Sequence, residues 1–126
     1  MEILQQIQHA YATSASYPDL VKQLIALGIQ SYTVDTSSEI VLYRLTNGRN
    51  ALLDNNHPLR EIAANFNLDL TVLAVKNTQQ GKTTYPAFLD DIAKAGVRFY
   101  EATLAGEDKR IIYVGRGGSY EEKIPG

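Results

Sequence analysis

The residues best suited to chemistry in this chain are its tyrosines. Of the 8 present, most fall into matched pairs. Tyr17 and Tyr85 lie 68 residues apart, as do Tyr32 and Tyr100, while Tyr43 and Tyr113 lie 70 apart. A phenol carries one hydroxyl that both donates and accepts, on a flat ring that tolerates burial. Several such groups around a cleft would hold a small molecule or a peptide through ring contacts and a few hydrogen bonds. Packing explains the same pairs, because tyrosine is a good strand residue whose hydroxyl can reach a rim. Two charged residues near the paired positions extend the cleft reading, so the candidate ligand-binding set is Tyr32, Asp35, Arg44, Tyr100 and Tyr113.

Other chemistry finds less support. His9 and His57 are the only histidines, and neither has a partner at metal-ligand spacing, so no metal site is expected. Gly115-Arg116-Gly117-Gly118-Ser119 would offer backbone N–H groups and a guanidinium to an anion, but it lacks the lysine and following helix of a phosphate loop. A hairpin turn is the better reading. Asp90 and Asp91 diverge by about 100° on a helix, and Glu121 and Glu122 point to opposite faces of a strand. Neither pair makes an acid and a base. No nucleophile elbow is present, no cysteine supplies a thiolate, and no cofactor is implied.

The elements that must position the tyrosines follow from the same duplication. Ser16 with Pro18 opens one helix and Gly28 closes it; Thr84, Pro86 and Gly96 do the same for a second. Apolar residues recur between these marks at helical spacing, Tyr17, Leu20, Val21, Leu24 and Leu27 against Tyr85, Phe88, Leu89, Ile92 and Ala95. Strands are predicted over 29–35, 39–45 and 49–53, and again over 97–103, 109–114 and 119–124. Asn47-Gly48 and Gly117-Gly118 are the expected hairpin turns. The runs 40–43 and 111–114 are apolar on both faces, which suits strands covered on two sides or lining an interface. An amphipathic helix is predicted at the N-terminus from Ile3, Leu4, Ile7 and Tyr11. Its counterpart by the same offset ends near 77–80 with Gly81 as cap, although Leu68, Leu70, Val72 and Ala74 also alternate like a strand. A short helix is predicted over 58–66.

The fold expected is α+β: two pseudo-symmetric helix–helix–β-meander repeats, at 1–53 and 67–126 with a linker at 54–66, sharing one antiparallel core in a single domain. Half of this chain would bury too little surface to stand alone.

The stretch Gln79-Gln80-Gly81-Lys82-Thr83-Thr84-Tyr85-Pro86-Ala87-Phe88, followed by Ala93-Lys94-Ala95-Gly96-Val97, Tyr100, Tyr113, a glycine turn and the tail Tyr120 to Pro125, resembles the YbcV-like family. These are small bacterial proteins with a domain of unknown function, sometimes labelled phage envelope protein. Tyr17-Pro18, Gly28-Ile29 and Tyr32-Thr33-Val34-Asp35 carry the resemblance into the first half. Asp35 fits the family pattern, whereas Thr103 stands where a second aspartate would be expected. The resemblance implies a scaffold and transfers no activity.

Net charge is −2 with no basic stripe, so nucleic acid is not an expected partner. Nothing resembles a secretory signal or a bilayer-spanning run, and a cytoplasmic protein is expected. The function expected is a non-catalytic binding or interaction module, with a homodimer, a small molecule or a peptide as candidate partners. A small-molecule enzyme or ligand sensor with a cleft between the repeats is the alternative.

Overall fold

The computed structural model describes residues 2–124, so Pro125 at the end of the family-like tail lies outside the described residues. The element order is α1 (Ile3–Thr13), α2 (Tyr17–Ala26), β1 (Ile29–Asp35), β2 (Ile40–Leu45), β3 (Asn50–Asp54), α3 (Leu68–Gln79), α4 (Tyr85–Lys94), β4 (Val97–Thr103), β5 (Arg110–Gly115) and β6 (Gly118–Lys123). All strand pairings are antiparallel, in the order β3-β2-β1-β4-β5-β6. The protein is α+β.

The helices begin and end where their local chemistry allows. The Ser16 hydroxyl accepts from the Asp19 N–H at 3.3 Å, and the Thr84 hydroxyl accepts from the Ala87 N–H at 3.3 Å. Each cap satisfies a first-turn donor that the helix itself cannot. The Asn67 side chain does the same for α3, accepting from the Leu70 N–H at 3.0 Å. Residues 68–75 are therefore helical, with Thr71, Ala74 and Val75 buried, and Leu68, Leu70 and Leu73 exposed.

Helices cover one face of the sheet. α2 packs on β1 and α4 on β4, while α1 reaches β3 and α3 reaches β6. Alternate strand residues point to this covered face. Ile29, Tyr32 and Val34 on β1, Val41 and Tyr43 on β2, Tyr100 and Ala102 on β4, and Ile111 and Tyr113 on β5 are buried there. The opposite face is open. Leu42, Ile112 and Val114 are half-buried on it, and Leu52 and Phe99 are exposed. The two-sided apolar runs thus have helices on one side only.

Two expectations need correction. Residues 58–66 form no helix. Their backbone donors are taken by other elements: Arg60 N–H by Ser37 O, Ala63 N–H by Ala93 O, and Phe66 N–H by Arg116 O. A backbone bonded outward cannot also close i to i−4 rings. Leu59, one of the residues whose spacing suggests that helix, is 76% exposed. The β5–β6 turn is also displaced by one residue. Gly115 pairs with Gly118, so the loop is Arg116-Gly117, with Gly117 at φ +83°. Gly118 belongs to β6 and is glycine for room: a Cβ there would lie 2.7 Å from the Phe66 ring.

Residues 55–67 form a strap held by Arg60. Its Nε donates to Asp90 at 2.7 Å, its Nη2 to Glu39 at 2.9 Å, and its Nη1 to the Thr36 carbonyl at 3.4 Å. Glu39, at φ +62°, is buried in the β1–β2 turn, and Asp90 lies on α4. One guanidinium therefore ties the strap to both parts of the chain. His57, expected to cap a helix or stand free, instead lies with Nε2 3.2 Å from Arg60 Nη2 and Nδ1 2.6 Å from Pro58 O. Because arginine can only donate, Nε2 accepts and Nδ1 carries the proton.

Candidate functional site: a tyrosine-floored cavity

The covered face of the sheet carries a row of five tyrosines, one from each of five neighbouring strands except the outer β3. Tyr43 lies 5.6 Å from Tyr32, Tyr32 6.5 Å from Tyr100, Tyr100 5.2 Å from Tyr113, and Tyr113 6.2 Å from Tyr120, centroid to centroid. Strand register puts them there: Tyr32 stands opposite Tyr43, Tyr100 opposite Tyr113, and Tyr113 opposite Tyr120. Tyr32 and Tyr100 meet diagonally across the central β1–β4 pair.

The first residue of each sheet-packed helix bonds down to this row. Tyr17 on α2 shares a hydrogen bond with Tyr32, hydroxyl to hydroxyl, at 2.8 Å. Tyr85 on α4 shares one with Tyr100, also at 2.8 Å. Proline at the second helical position fixes the chain direction as each helix leaves its cap, which aims the preceding tyrosine at the sheet. Tyr43 donates to the Tyr11 hydroxyl at 3.3 Å. Tyr113 has no hydroxyl partner among the described residues and faces open space.

That space is a cavity of about 340 Å³. Tyr32, Phe88, Tyr100 and Tyr113 form its floor; Leu20, Val75 and Ile111 line its walls; Tyr11, Ala15, Ser16, Gln79 and Tyr85 form its solvent-exposed rim. The volume sits at the low end of the range for small-molecule sites. Tyr11 and Tyr85 keep 40% and 39% of their surface exposed, yet their hydroxyls turn inward.

Every phenol here is harder to ionise than usual. Burial raises Tyr17, Tyr32, Tyr43, Tyr85, Tyr100 and Tyr113 above the ordinary 10.0, and Tyr11 with them. At neutral pH the floor is therefore an array of uncharged hydroxyls, with no phenolate to act as nucleophile or base. Tyr120 is raised for a different first reason, its hydrogen bond to Glu122. Among the described residues Glu122 is the only carboxylate lining the cavity. Its Oε2 accepts from Tyr120 and its Oε1 from Gln79 Nε2 at 3.2 Å.

Of the residues singled out in the sequence, the structure brings Tyr32, Tyr100 and Tyr113 together. Asp35 and Arg44 lie elsewhere. Asp35 is exposed at the end of β1, where its Oδ2 accepts from the Ser38 N–H at 2.9 Å and closes the turn. Arg44 sits on the open face, donating to Thr33 Oγ1 at 2.8 Å with Glu101 at 3.7 Å. Both point away from the floor because strand alternation separates them from the buried tyrosines. Tyr11, Phe88, Gln79 and Glu122 went unread as site residues. Gln79 and Tyr11 occupy the same offset of 68, which is the one signal in the sequence that would have paired them. Among the described residues no group of three or more His, Asp or Glu side chains gathers as a metal set. His9 lies in a separate groove between α1 and α2 among Gln5, Gln6 and Gln23. Arg116 is exposed in its hairpin turn.

A family model described as "Protein of unknown function (DUF1398)" matches residues 5–119. A comparison with curated proteins finds no match.

Proposed function

The chain belongs to this family of unknown function, and from its geometry we propose that it is a non-catalytic binding module whose ligand is a small molecule held in the tyrosine-floored cavity. The observation that carries this reading is a concave space between the α1–α2 and α3–α4 hairpins, floored by aromatic rings and supplied with convergent hydroxyls. Pockets with an apolar lining and a few placed polar groups are where small ligands bind. Catalysis is the weaker reading, because no phenol is acidified and the lining, among the described residues, holds a single carboxylate rather than an acid–base pair.

The same reading takes the chain as one domain built of two like halves about an axis between β1 and β4. The palindromic sheet order and the two matched tyrosine–tyrosine bonds support it. The cavity then lies where the halves meet. The likeness to YbcV-like proteins and a cytoplasmic location belong to this proposal too; no helix among the described residues is long and apolar enough to cross a membrane. Self-association would use Phe99, Ile112 and Val114 on the open sheet face, and light scattering at micromolar concentration checks it.

A thermal-shift screen against a broad small-molecule library tests the main proposal. A true ligand raises the melting temperature by mass action. The rise should vanish in Ala15→Trp, which places an indole at the exposed rim without touching the core. Silence across the library, or hits that Ala15→Trp leaves untouched, would overturn the reading.

A further inference from the structure

We infer that the ligand of this cavity is a small organic cation, an amine or quaternary ammonium bound against the tyrosine faces with Glu122 as its counter-charge; this rests on the binding reading above. The first ground is the surface itself. Tyr32, Tyr100, Tyr113 and Phe88 present π-systems, whose faces are negative and attract a cation lying over them.

The second ground is the sign of the local charge. Among the described residues two charged ones line the cavity, Glu122 and Lys123. They are neighbours on β6, so their side chains leave opposite faces of the sheet. Glu122 takes the covered side with Tyr120, while Lys123 is exposed and pairs in register with Arg110 on the open side. Of the two, alternation turns the carboxylate toward the tyrosine floor and the ammonium toward the open face. The partners of Glu122, Gln79 and Tyr120, are both neutral, so its charge is positioned without being cancelled. No ion pair reaches it among the described residues. Glu122 and Tyr113 line the same cavity from the adjacent strands β6 and β5, and the Tyr113 phenol, raised first by burial and then by Tyr17, is raised by the Glu122 carboxylate as well.

The third ground is a contrast between the two edge strands. Val41 on β2 faces Leu53 on β3, and Ile111 on β5 faces Glu122 on β6. At the same place in the first meander a leucine packs against the helices. A carboxylate at that place in the second contributes no apolar packing, and its cost is offset when a cation binds beside it.

Isothermal titration with a matched panel tests the inference. Phenethylamine and benzyltrimethylammonium supply the cation, 2-phenylethanol is the neutral isostere, and 3-phenylpropionate is the anion. The cations should bind about tenfold more tightly than the alcohol, and the anion more weakly than either. Glu122→Gln should bring the cations down to the alcohol's affinity. Glu121→Gln removes the same charge from the open face and should keep the preference, which separates a local effect from net charge. An alcohol that equals the cations, or a preference that survives Glu122→Gln, overturns the cation assignment and leaves the binding proposal standing. If no member binds at millimolar concentration while folded protein is confirmed by circular dichroism, both fall together.

Discussion

The first meander and the second begin after the same kind of turn but are loaded differently. Gly28 closes α2 at φ +88°, and Gly96 closes α4 at φ +82°. A Cβ on Gly28 would find only the Thr46 hydroxyl, at 3.7 Å. A Cβ on Gly96 would strike the Asn65 carbonyl oxygen at 2.2 Å, because the strap 55–67 lies across it. The strap has no equivalent over the first half. A Cβ on Gly115 would strike the Gly96 carbonyl oxygen at 2.1 Å and one on Gly118 the Phe66 ring at 2.7 Å, so three glycines of the second half are required by close approach. The lesson is that the same glycine conformation ends both helices while what packs against it differs. The cavity inherits this imbalance. Tyr11 plugs the Tyr43 side, whereas the Tyr113 side opens toward Glu122.

What the halves share should give the largest effect. Tyr32 and Tyr43 from one half and Tyr100 and Tyr113 from the other are buried phenols, and each folded pKa lies above the ordinary 10.0. A raised value means the native state holds its proton where the unfolded chain has lost it. That contribution is complete below pH 10 and is lost as pH rises from there toward the folded value. The slope is roughly 1.4 kcal/mol per pH unit for each phenol. Four phenols titrating together would exhaust the stability of an ordinary domain within about two units above pH 10. Tyrosinate absorbance and far-ultraviolet circular dichroism should therefore change in one step. Ionisation of one half's tyrosines at pH 10 with the fold intact would break the shared floor.

The glycines come next. Gly28→Ala should cost about 1–2 kcal/mol, the price of a left-handed alanine. Gly96→Ala adds the collision with Asn65 and should cost roughly 3–5 kcal/mol, or prevent folding. Urea denaturation of both variants measures the gap. Equal losses would mean that the strap yields and that the second half is no more tightly loaded than the first.

Much of the skeleton was legible because its signals are local. Serine or threonine before tyrosine-proline, glycine after the last apolar turn, and alternating strands each act through a few neighbouring residues. Strands β1 and β4 were read to the residue for that reason. The strap was misread because Leu59, Ile62, Ala63 and Phe66 match helical spacing, and nothing nearby reveals that their backbone donors bond to Ser37, Ala93 and Arg116. Tertiary bonds overrode periodicity there. The site divides in the same way. Tyr32 and Tyr100 lie on a buried strand face that alternation identifies. Asp35 and Arg44 are their sequence neighbours, but strand pleating sends them elsewhere. Glu122 is not legible as a site residue because the helix-facing side of an edge strand is defined only by which strand it pairs with.

A smaller effect separates Tyr43 from Tyr113. The Tyr43 hydroxyl is buried and bonded to Tyr11, so Tyr43→Phe should cost about 1 kcal/mol. Tyr113→Phe removes a hydroxyl that faces the cavity without a protein partner and should change stability by less than about 0.5 kcal/mol. Matched thermal melts give the order, and a reversed order would place the open side of the cavity in the wrong half.

Two of the arginine pairs set the fine scale of the comparison, one across the strap and one on the open face. Arg60 is almost fully enclosed, with 6% of its side chain exposed, and the Glu39 carboxylate beside it has 9%. Removing Arg60 alone leaves that carboxylate buried without its cation, a cost of roughly 3 kcal/mol. Removing both, as Arg60→Met with Glu39→Gln, should recover much of it, since no buried charge is left uncompensated and the other partner, Asp90, is 55% exposed to water. Arg44 and Glu101 lie on the open face with 35% and 47% of their side chains exposed, and their charged atoms are 3.7 Å apart. Water screens such a pair, and its coupling should be about 0.5 kcal/mol or less. Double-mutant cycles on both pairs measure the two couplings on one scale. If the Arg44 coupling matched that of Arg60, the open face would be as desolvated as the strap, which is the result expected only if something covers that face in solution.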